Sequence, residues 1–117
     1  MANCITERQE HEKRIKALTQ TMPCEEDIYL MASRFKALSE PSRLKILLAL
    51  EEGELCVEHL CGAVNGNQSA VSHQLKALKD CKIIKSRRCG KNILYSISDE
   101  HILIMLKMAK EHLDCDE

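Results

Sequence analysis

The fold is decided by residues 57–98, which read VEHLCGAVNGNQSAVSHQLKALKDCKIIKSRRCGKNILYSIS. The first half of this stretch contains two amphipathic segments, 57–64 and 69–80, whose apolar residues recur at helical spacing. Between them, the run Asn65-Gly66-Asn67 interrupts the pattern with residues that favour turns. Two short helices joined by a glycine-containing turn are typical of a helix-turn-helix, so the second segment is predicted to be a recognition helix.

The second half of the stretch predicts a β-hairpin. Residues 83–88 and 93–98 are β-like runs, and the short link between them contains a glycine. The tip of this hairpin is basic because it carries Arg87, Arg88 and Lys91. A basic hairpin directly after a recognition helix is a wing, and the sequence therefore predicts a winged helix-turn-helix.

Further helical patterns lie on both sides of this segment. Apolar residues recur at helical spacing, and helix start and stop signals bound the runs. A proline at position 41 suits the first turn of one of them. The additional helices are predicted at residues 6–20, 25–38, 41 to about 53, and 102–113.

The composition restricts the class of protein. The chain has 117 residues, which suits a single domain with a modest core. It has no apolar run of about 18 residues and no signal-peptide pattern at its start, so a cytoplasmic protein without a membrane partner is expected. Seven cysteines, an odd number at irregular spacing, argue against a disulfide framework and favour metal ligation, redox sensing or packing.

Charge is distributed unevenly along the chain. The formal net charge is −1, but residues 67–95 contain seven lysines and arginines against one aspartate. Such a local excess of positive charge indicates an anionic partner, and after a recognition helix it predicts double-stranded DNA.

Two sets of side chains are predicted to contact that DNA. Short polar and amide side chains on the recognition helix are placed to read bases, namely Ser69, Ser72, His73 and Gln74. Cationic side chains are placed to anchor on phosphates, namely Lys76, Lys79, Arg87, Arg88 and Lys91. Gln74 is the strongest candidate for a base contact, because a glutamine carboxamide can pair with adenine through both of its polar atoms.

Four potential metal ligands flank the last helical segment, and they are Asp99, His101, His112 and Cys115. His101 and His112 return to within about 20° of the same helical face, but they are roughly 16 Å apart along the axis. No single ion spans that gap, since zinc–nitrogen bonds are about 2.0–2.1 Å. Two copies packed antiparallel would bring opposite ends together and build two sites per dimer, each with one oxygen, two nitrogens and one sulfur. This donor set suits tetrahedral Zn(II).

Spacing alone leaves another interpretation of these four residues open. Acidic residues favour the N-terminus of a helix, and a cationic histidine favours its C-terminal end.

The metal interpretation divides the single domain, residues 1–117, into three parts. These are an N-terminal arm or helix (1–22), a DNA-binding core (25–98) and a dimerisation and metal-binding helix (99–115). The predicted fold class is mainly α (α+β), a winged helix-turn-helix with flanking N- and C-terminal helices that forms a homodimer.

Three stretches of the sequence resemble the ArsR/SmtB family of metal-sensing bacterial repressors. They are LSEPSRLKIL at 38–47, ELCV at 54–57 and SAVSHQL at 69–75, and the resemblance extends over roughly residues 25 to 115. It implies a homodimeric repressor that binds an inverted-repeat operator and releases it when metal binds. The family's C-terminal site, Asp-x-His, ten residues, then His-x-x-Glu or His-x-x-His, matches in spacing and departs only at Cys115. A thiolate there favours Zn(II) and also admits Cd(II) or Co(II).

The resemblance also implies two alternative sites. One joins cysteines of the N-terminal arm to the first helix of the helix-turn-helix, where Cys4, Cys56 and His59 are the candidates for Cd(II) or Pb(II). The other is the arsenic motif Cys-Val-Cys-x-x-Cys, of which this chain keeps Cys56 and Cys61 but has Glu58 in the middle. A structural Cys56 is the competing interpretation.

Other classes of function make different demands on the sequence. A thiol-based redox or persulfide-sensing repressor would use the same scaffold with a reactive cysteine pair, and Cys24 and Cys89 are its candidates. An enzyme is not expected, because no glycine-rich loop, nucleophile motif or acid–base cluster appears outside the metal set.

Overall fold

A computed structural model describes the backbone of residues 2–115 and the side chains of residues 6–115. Over this range, six helices and one two-stranded sheet follow one another along the chain. They are α1 (Ala2–Thr21), α2 (Glu25–Leu38), α3 (Pro41–Leu50), α4 (Val57–Val64), α5 (Gln68–Asp80), β1 (Ile84–Cys89), β2 (Asn92–Ile97) and α6 (Glu100–Asp114). Every element that the sequence predicts is present.

Side-chain caps mark the starts of α3 and α5. Glu40 precedes α3, and its carboxylate accepts hydrogen bonds from the backbone N–H groups of Ser42 and Arg43 at 3.2 and 3.3 Å. Asn67 precedes α5 and accepts from the N–H of Ala70 at 2.8 Å. These caps satisfy donors that have no partner inside the helix, so they fix where each helix begins.

Two compact units divide the chain, residues 1–31 and residues 32–117. The first unit contains α1 and the beginning of α2. The second contains the helix-turn-helix, the hairpin and α6 around one apolar core. The core side chains exposed by 2% or less are Ile46, Leu47, Leu50, Leu60, Leu75, Leu78, Ile83 and Ile84. The prediction that residues 1–117 form a single domain stays a prediction.

The hairpin is an antiparallel pair in which Cys89 faces Asn92 across a two-residue link. Gly90 begins that link at φ 62°, a conformation that a residue without a Cβ adopts without strain. On the edge of β2 that does not face β1, Leu55 pairs with Tyr95 through two backbone hydrogen bonds of 3.0 and 2.8 Å. The segment before α4 is therefore joined to the wing.

No helix within the described part of the chain has both the length and the apolar character that a membrane crossing requires.

Candidate metal centre and nucleic-acid interface

Asp99 and His101 lie together at the start of α6. One carboxylate oxygen of Asp99, Oδ1, accepts hydrogen bonds from the backbone N–H groups of His101 and Ile102 at 2.9 and 3.3 Å. The same oxygen is 3.4 Å from Nδ1 of His101. Both side chains are exposed, by 55% for Asp99 and 88% for His101. Asp99 therefore caps the helix, and its second oxygen, Oδ2, takes no part in these contacts.

His112 and Cys115 lie at the opposite end of α6, and both are exposed. The backbone N–H of Cys115 bonds to the carbonyl oxygen of His112 at 3.2 Å, so the two residues share the last turn. Residues three apart in a helix lie on the same face. Among the described residues of one chain, no three histidine, cysteine or acidic side chains converge as a metal site would require. A single chain thus presents two ligand pairs and not a four-ligand site.

Two apolar side chains lie between these ligand pairs. Ile104 and Met108 are 50% and 53% exposed, and helical spacing puts them on the face that carries His101 and His112. The opposite face of α6 packs against the core of the second unit through Leu106, which is 4% exposed. An ion pair of 3.0 Å between Lys110 and Glu51 joins the same face to the end of α3. The ligand face is therefore apolar and open, while the other face is occupied.

Cys56 and His59 form the nearest approach to the second predicted site. Sγ of Cys56 lies 3.3 Å from Nδ1 of His59, across the start of α4. Cys56 is buried and His59 is exposed. Cys56 lines a cavity of about 540 Å³ together with Cys61, Gln68 and Lys91. The side chain of Cys4, the third predicted ligand, lies outside the described residues.

The remaining cysteines occupy two kinds of environment. Cys61 and Cys81 are partly buried and pack against the apolar core. Cys24 and Cys89 are exposed thiols, and no disulfide joins any of the cysteines within the described side chains.

The recognition helix presents most of the predicted DNA contacts to solvent. Its inner face is formed by Val71, Leu75 and Leu78, all of them buried. This packing leaves one outer face exposed, and that face carries Ser69, Ser72, His73, Lys76 and Lys79. Arg88 and Lys91 are exposed on the wing. These polar and cationic side chains are thus accessible to a partner.

Two of the predicted DNA contacts already have partners within the chain. Gln74 is half-buried, and its Oε1 accepts a hydrogen bond of 2.7 Å from Nε of Arg43. Arg87 donates two hydrogen bonds to the carboxylate of Glu54, at 2.6 and 2.8 Å. The Arg87 hydrogen bond and its charge hold the pKa of Glu54 below its ordinary value. Sequence reasoning missed Arg43 and Glu54, because their partners are 31 and 33 residues away.

Comparison with known proteins identifies the family. Residues 40–86 match the family described as bacterial regulatory protein, arsR family. The cadmium resistance transcriptional regulatory protein CadC homolog of Staphylococcus aureus is 40% identical over 83 residues, which cover 70% of this chain and 69% of that protein. This chain belongs to the ArsR family.

One further relative and one solved structure are also similar to this chain. The transcriptional repressor SmtB homolog of Synechocystis is 43% identical over 83 residues, 71% of this chain and 63% of that protein. The chain thus matches somewhat less than two thirds of that relative's length. A homodimeric winged helix-turn-helix DNA-binding domain from Mycobacterium bovis superposes with a TM-score of 0.72 at 28% identity, over 80% of this chain and 90% of that chain. The predicted winged helix-turn-helix fold is confirmed.

Membership of the ArsR family assigns the chain to the DNA-binding regulators of transcription. In an ArsR-family winged helix-turn-helix, α5 takes the place of the recognition helix and the β1–β2 hairpin that of the wing. The roles of individual side chains on these two elements remain predictions, as do the ligands at the two ends of α6.

Proposed function

We propose that this ArsR-family chain is a metal-responsive transcriptional repressor. As a homodimer it binds an inverted-repeat operator, and it releases the operator when Zn(II) binds between the two α6 helices. The observation that carries this proposal is the open face of α6. That face has one ligand pair at each end and two exposed apolar side chains between them.

The apolar stripe favours pairing of two α6 helices. Ile104 and Met108 leave about half of their surface in water, and burial against a second copy would remove that cost. Antiparallel packing about a two-fold axis brings Asp99 and His101 of one subunit beside His112 and Cys115 of the partner subunit. The same contact that buries the stripe therefore completes two equivalent four-ligand sites.

The donor set determines which ions fit. One carboxylate oxygen, two imidazole nitrogens and one thiolate sulfur suit tetrahedral Zn(II), and the thiolate also admits Cd(II) or Co(II). Capping does not compete with ligation at Asp99, because the cap uses Oδ1 and leaves Oδ2 for an ion. A bound ion would cross-link the two α6 helices and fix the angle between them.

The packing of α6 connects that angle to the DNA-binding surface. Leu106 is buried in the core of the second unit, and Lys110 is paired with Glu51 of α3. A change in the pairing of two α6 helices therefore moves each helix-turn-helix with it. Binding to adjacent half-sites requires recognition helices about 34 Å apart, so a metal-fixed angle that alters this spacing weakens DNA binding. Reciprocity then requires that DNA weakens metal binding by the same factor.

The expected result for the wild-type protein is a zinc-dependent loss of DNA affinity. Duplexes enriched from a randomised pool by metal-free protein serve as probes in a fluorescence anisotropy titration. Zn(II) should raise the Kd by about 5- to 150-fold, the range of ordinary allosteric coupling, and a chelator should restore it. Mg(II), which prefers oxygen ligands, is the control and should have no effect. An affinity that Zn(II) leaves unchanged would contradict the proposal.

A second candidate for metal sensing rests on the Cys56–His59 pair. Its 3.3 Å separation brings a thiol and an imidazole together beside a cavity that also holds Cys61. Soft ions such as Cd(II) and Pb(II), or trivalent arsenic, would bind there. Loss of the metal response in Cys56→Ser would favour this site.

Release of DNA by an oxidant in metal-free protein would favour a thiol switch at the exposed Cys24 or Cys89.

A further inference from the structure

One hydrogen bond joins the side chains of α3 and α5 within the described residues. Arg43, in the first turn of α3, donates its Nε–H to Oε1 of Gln74 at 2.7 Å. Its guanidinium also lies 3.8 Å from the carboxylate of Glu40, and 26% of the Arg43 side chain is exposed. A hydrogen bond from a cation is about twice as strong as one between neutral groups, and partial burial protects it from water.

The packing around this bond shows what the bond adds to the contact between α3 and α5. The helix α5 packs on the core through Val71, Leu75 and Leu78, buried residues that lie on both sides of Gln74 in the sequence. A cleft of about 200 Å³ beside the bond is lined by Ser42 and Lys45 of α3 and by Gln74 of α5. Apolar packing is non-directional and does not fill this cleft. The bond from Arg43 therefore adds a directional constraint between α3 and α5 to this apolar packing.

The same bond occupies one of the two polar atoms that the Gln74 side chain could offer to a base. Pairing with adenine requires both the oxygen and the nitrogen of the glutamine carboxamide. The oxygen of Gln74 is already held by Arg43, and the side chain is half-buried while Ser69, Ser72 and His73 are exposed. Reading a base through both atoms would require the Arg43 bond to break.

We infer that Arg43 is a positioning residue for DNA binding. Through Gln74 it holds the recognition helix at the angle that DNA requires, and Gln74 serves this bond in place of reading a base. This inference rests on the DNA binding proposed above, but it does not depend on the metal response. Base reading is then left to the exposed side chains of α5.

A double-mutant cycle in metal-free protein tests the inference. The probes are duplexes enriched from a randomised pool by wild type, together with every single-base substitution of one half-site. Arg43→Ala and Gln74→Met should each raise the Kd by about 5- to 10-fold, and the double variant should be no worse than either. The increase should be the same for all base substitutions, because no base contact is lost.

Gln74→Glu is the matched control variant. It keeps an acceptor for Arg43 and makes the bond charge-assisted, but it removes the amide donor that adenine needs. Its pattern of base preference should be unchanged, and any rise in Kd from the added negative charge should be the same for every duplex. A thermal melt of each variant records its stability separately from its DNA affinity.

Three results would overturn the inference. A base preference that disappears at one position in Gln74→Glu would make Gln74 a base reader. Independent losses that multiply in the double variant would show that Arg43 acts alone, for example on a phosphate. Wild-type protein that enriches no sequence from the pool would contradict the proposed DNA binding itself. An absent zinc response with an intact cycle would contradict only the metal part of the proposed function.

Discussion

His112→Ala is expected to abolish the effect of Zn(II) on DNA affinity while leaving metal-free DNA binding intact. The side chain is exposed at the far end of α6, so its removal costs the fold little. It removes one of four ligands from each of the two proposed sites, and loss of a nitrogen ligand leaves an incomplete tetrahedral set. The Kd for the operator in the presence of Zn(II) should therefore stay within about twofold of the metal-free value, against 5- to 150-fold for wild type. His101→Ala should behave in the same way.

Two further variants separate ligation from helix structure. Asp99→Asn keeps an oxygen acceptor for the N–H groups of His101 and Ile102, so α6 keeps its cap while the site loses an anionic ligand. It should retain DNA binding and lose most of the zinc response. Lys107→Gln, on an exposed part of the same helix, should keep the full response. A zinc response of wild-type size in both histidine variants would show that the α6 assignment is wrong.

Leu47→Ala is expected to lower the free energy of unfolding by about 2–5 kcal/mol, the usual cost of removing a buried leucine side chain. Leu47 lies in the middle of α3 and is fully buried among the residues of the core. The cavity left behind has no polar lining to hold water, so the loss includes the missing contacts as well as the lost burial. Urea unfolding followed by circular dichroism, at one fixed protomer concentration and without metal, measures this change.

Leu113→Ala is the matched control for the core variant. Leu113 is 73% exposed in the last turn of α6, so the same chemical change removes little buried area. Its free energy of unfolding should change by less than about 0.5 kcal/mol. Equal effects of the two substitutions would contradict the placement of Leu47 inside the core and of Leu113 outside it.

Local patterns in the sequence predict the secondary structure well. The segment at 25–38 and the short helix at 57–64 have the predicted bounds, and the strands are displaced by one residue. Helical periodicity and glycine-containing turns act over a few residues, so one sequence contains the whole signal. The last helix begins at Glu100, two residues before the predicted start, because Asp99 supplies the cap. The sequence predicts Asp99 as a metal ligand or as a helix cap, and the structure shows the cap.

Contacts between distant residues are what the sequence does not reveal. Gln74 is predicted to be an exposed base reader from its place beside Ser72 and His73, yet it lies at the edge of the buried face and bonds to Arg43. Arg87 is predicted to be a free phosphate anchor, but Glu54 holds it in the absence of DNA. Both partners are more than thirty residues away, and only tertiary packing brings α3 close to α5 and the segment before α4 close to the wing.

The proposed metal site is a different case, because its assembly would require a second chain. Spacing predicts which residues lie at the two ends of α6, and the structure adds the apolar stripe of Ile104 and Met108 between them. That stripe is visible only once Leu106 and Lys110 are seen to occupy the opposite face. An apolar helix in a sequence does not reveal which of its faces the core leaves open.

The central claim is that Cys115 and the α6 histidines bind the regulatory ion between two subunits. Anaerobic Co(II) titration of wild type and Cys115→Ser, followed by absorbance, tests it most directly. Intense tetrahedral d–d bands are expected to saturate at about one Co(II) per protomer in wild type. A thiolate charge-transfer band should accompany them and should disappear in Cys115→Ser. A charge-transfer band that survives unchanged in Cys115→Ser would contradict it and move the metal to Cys56.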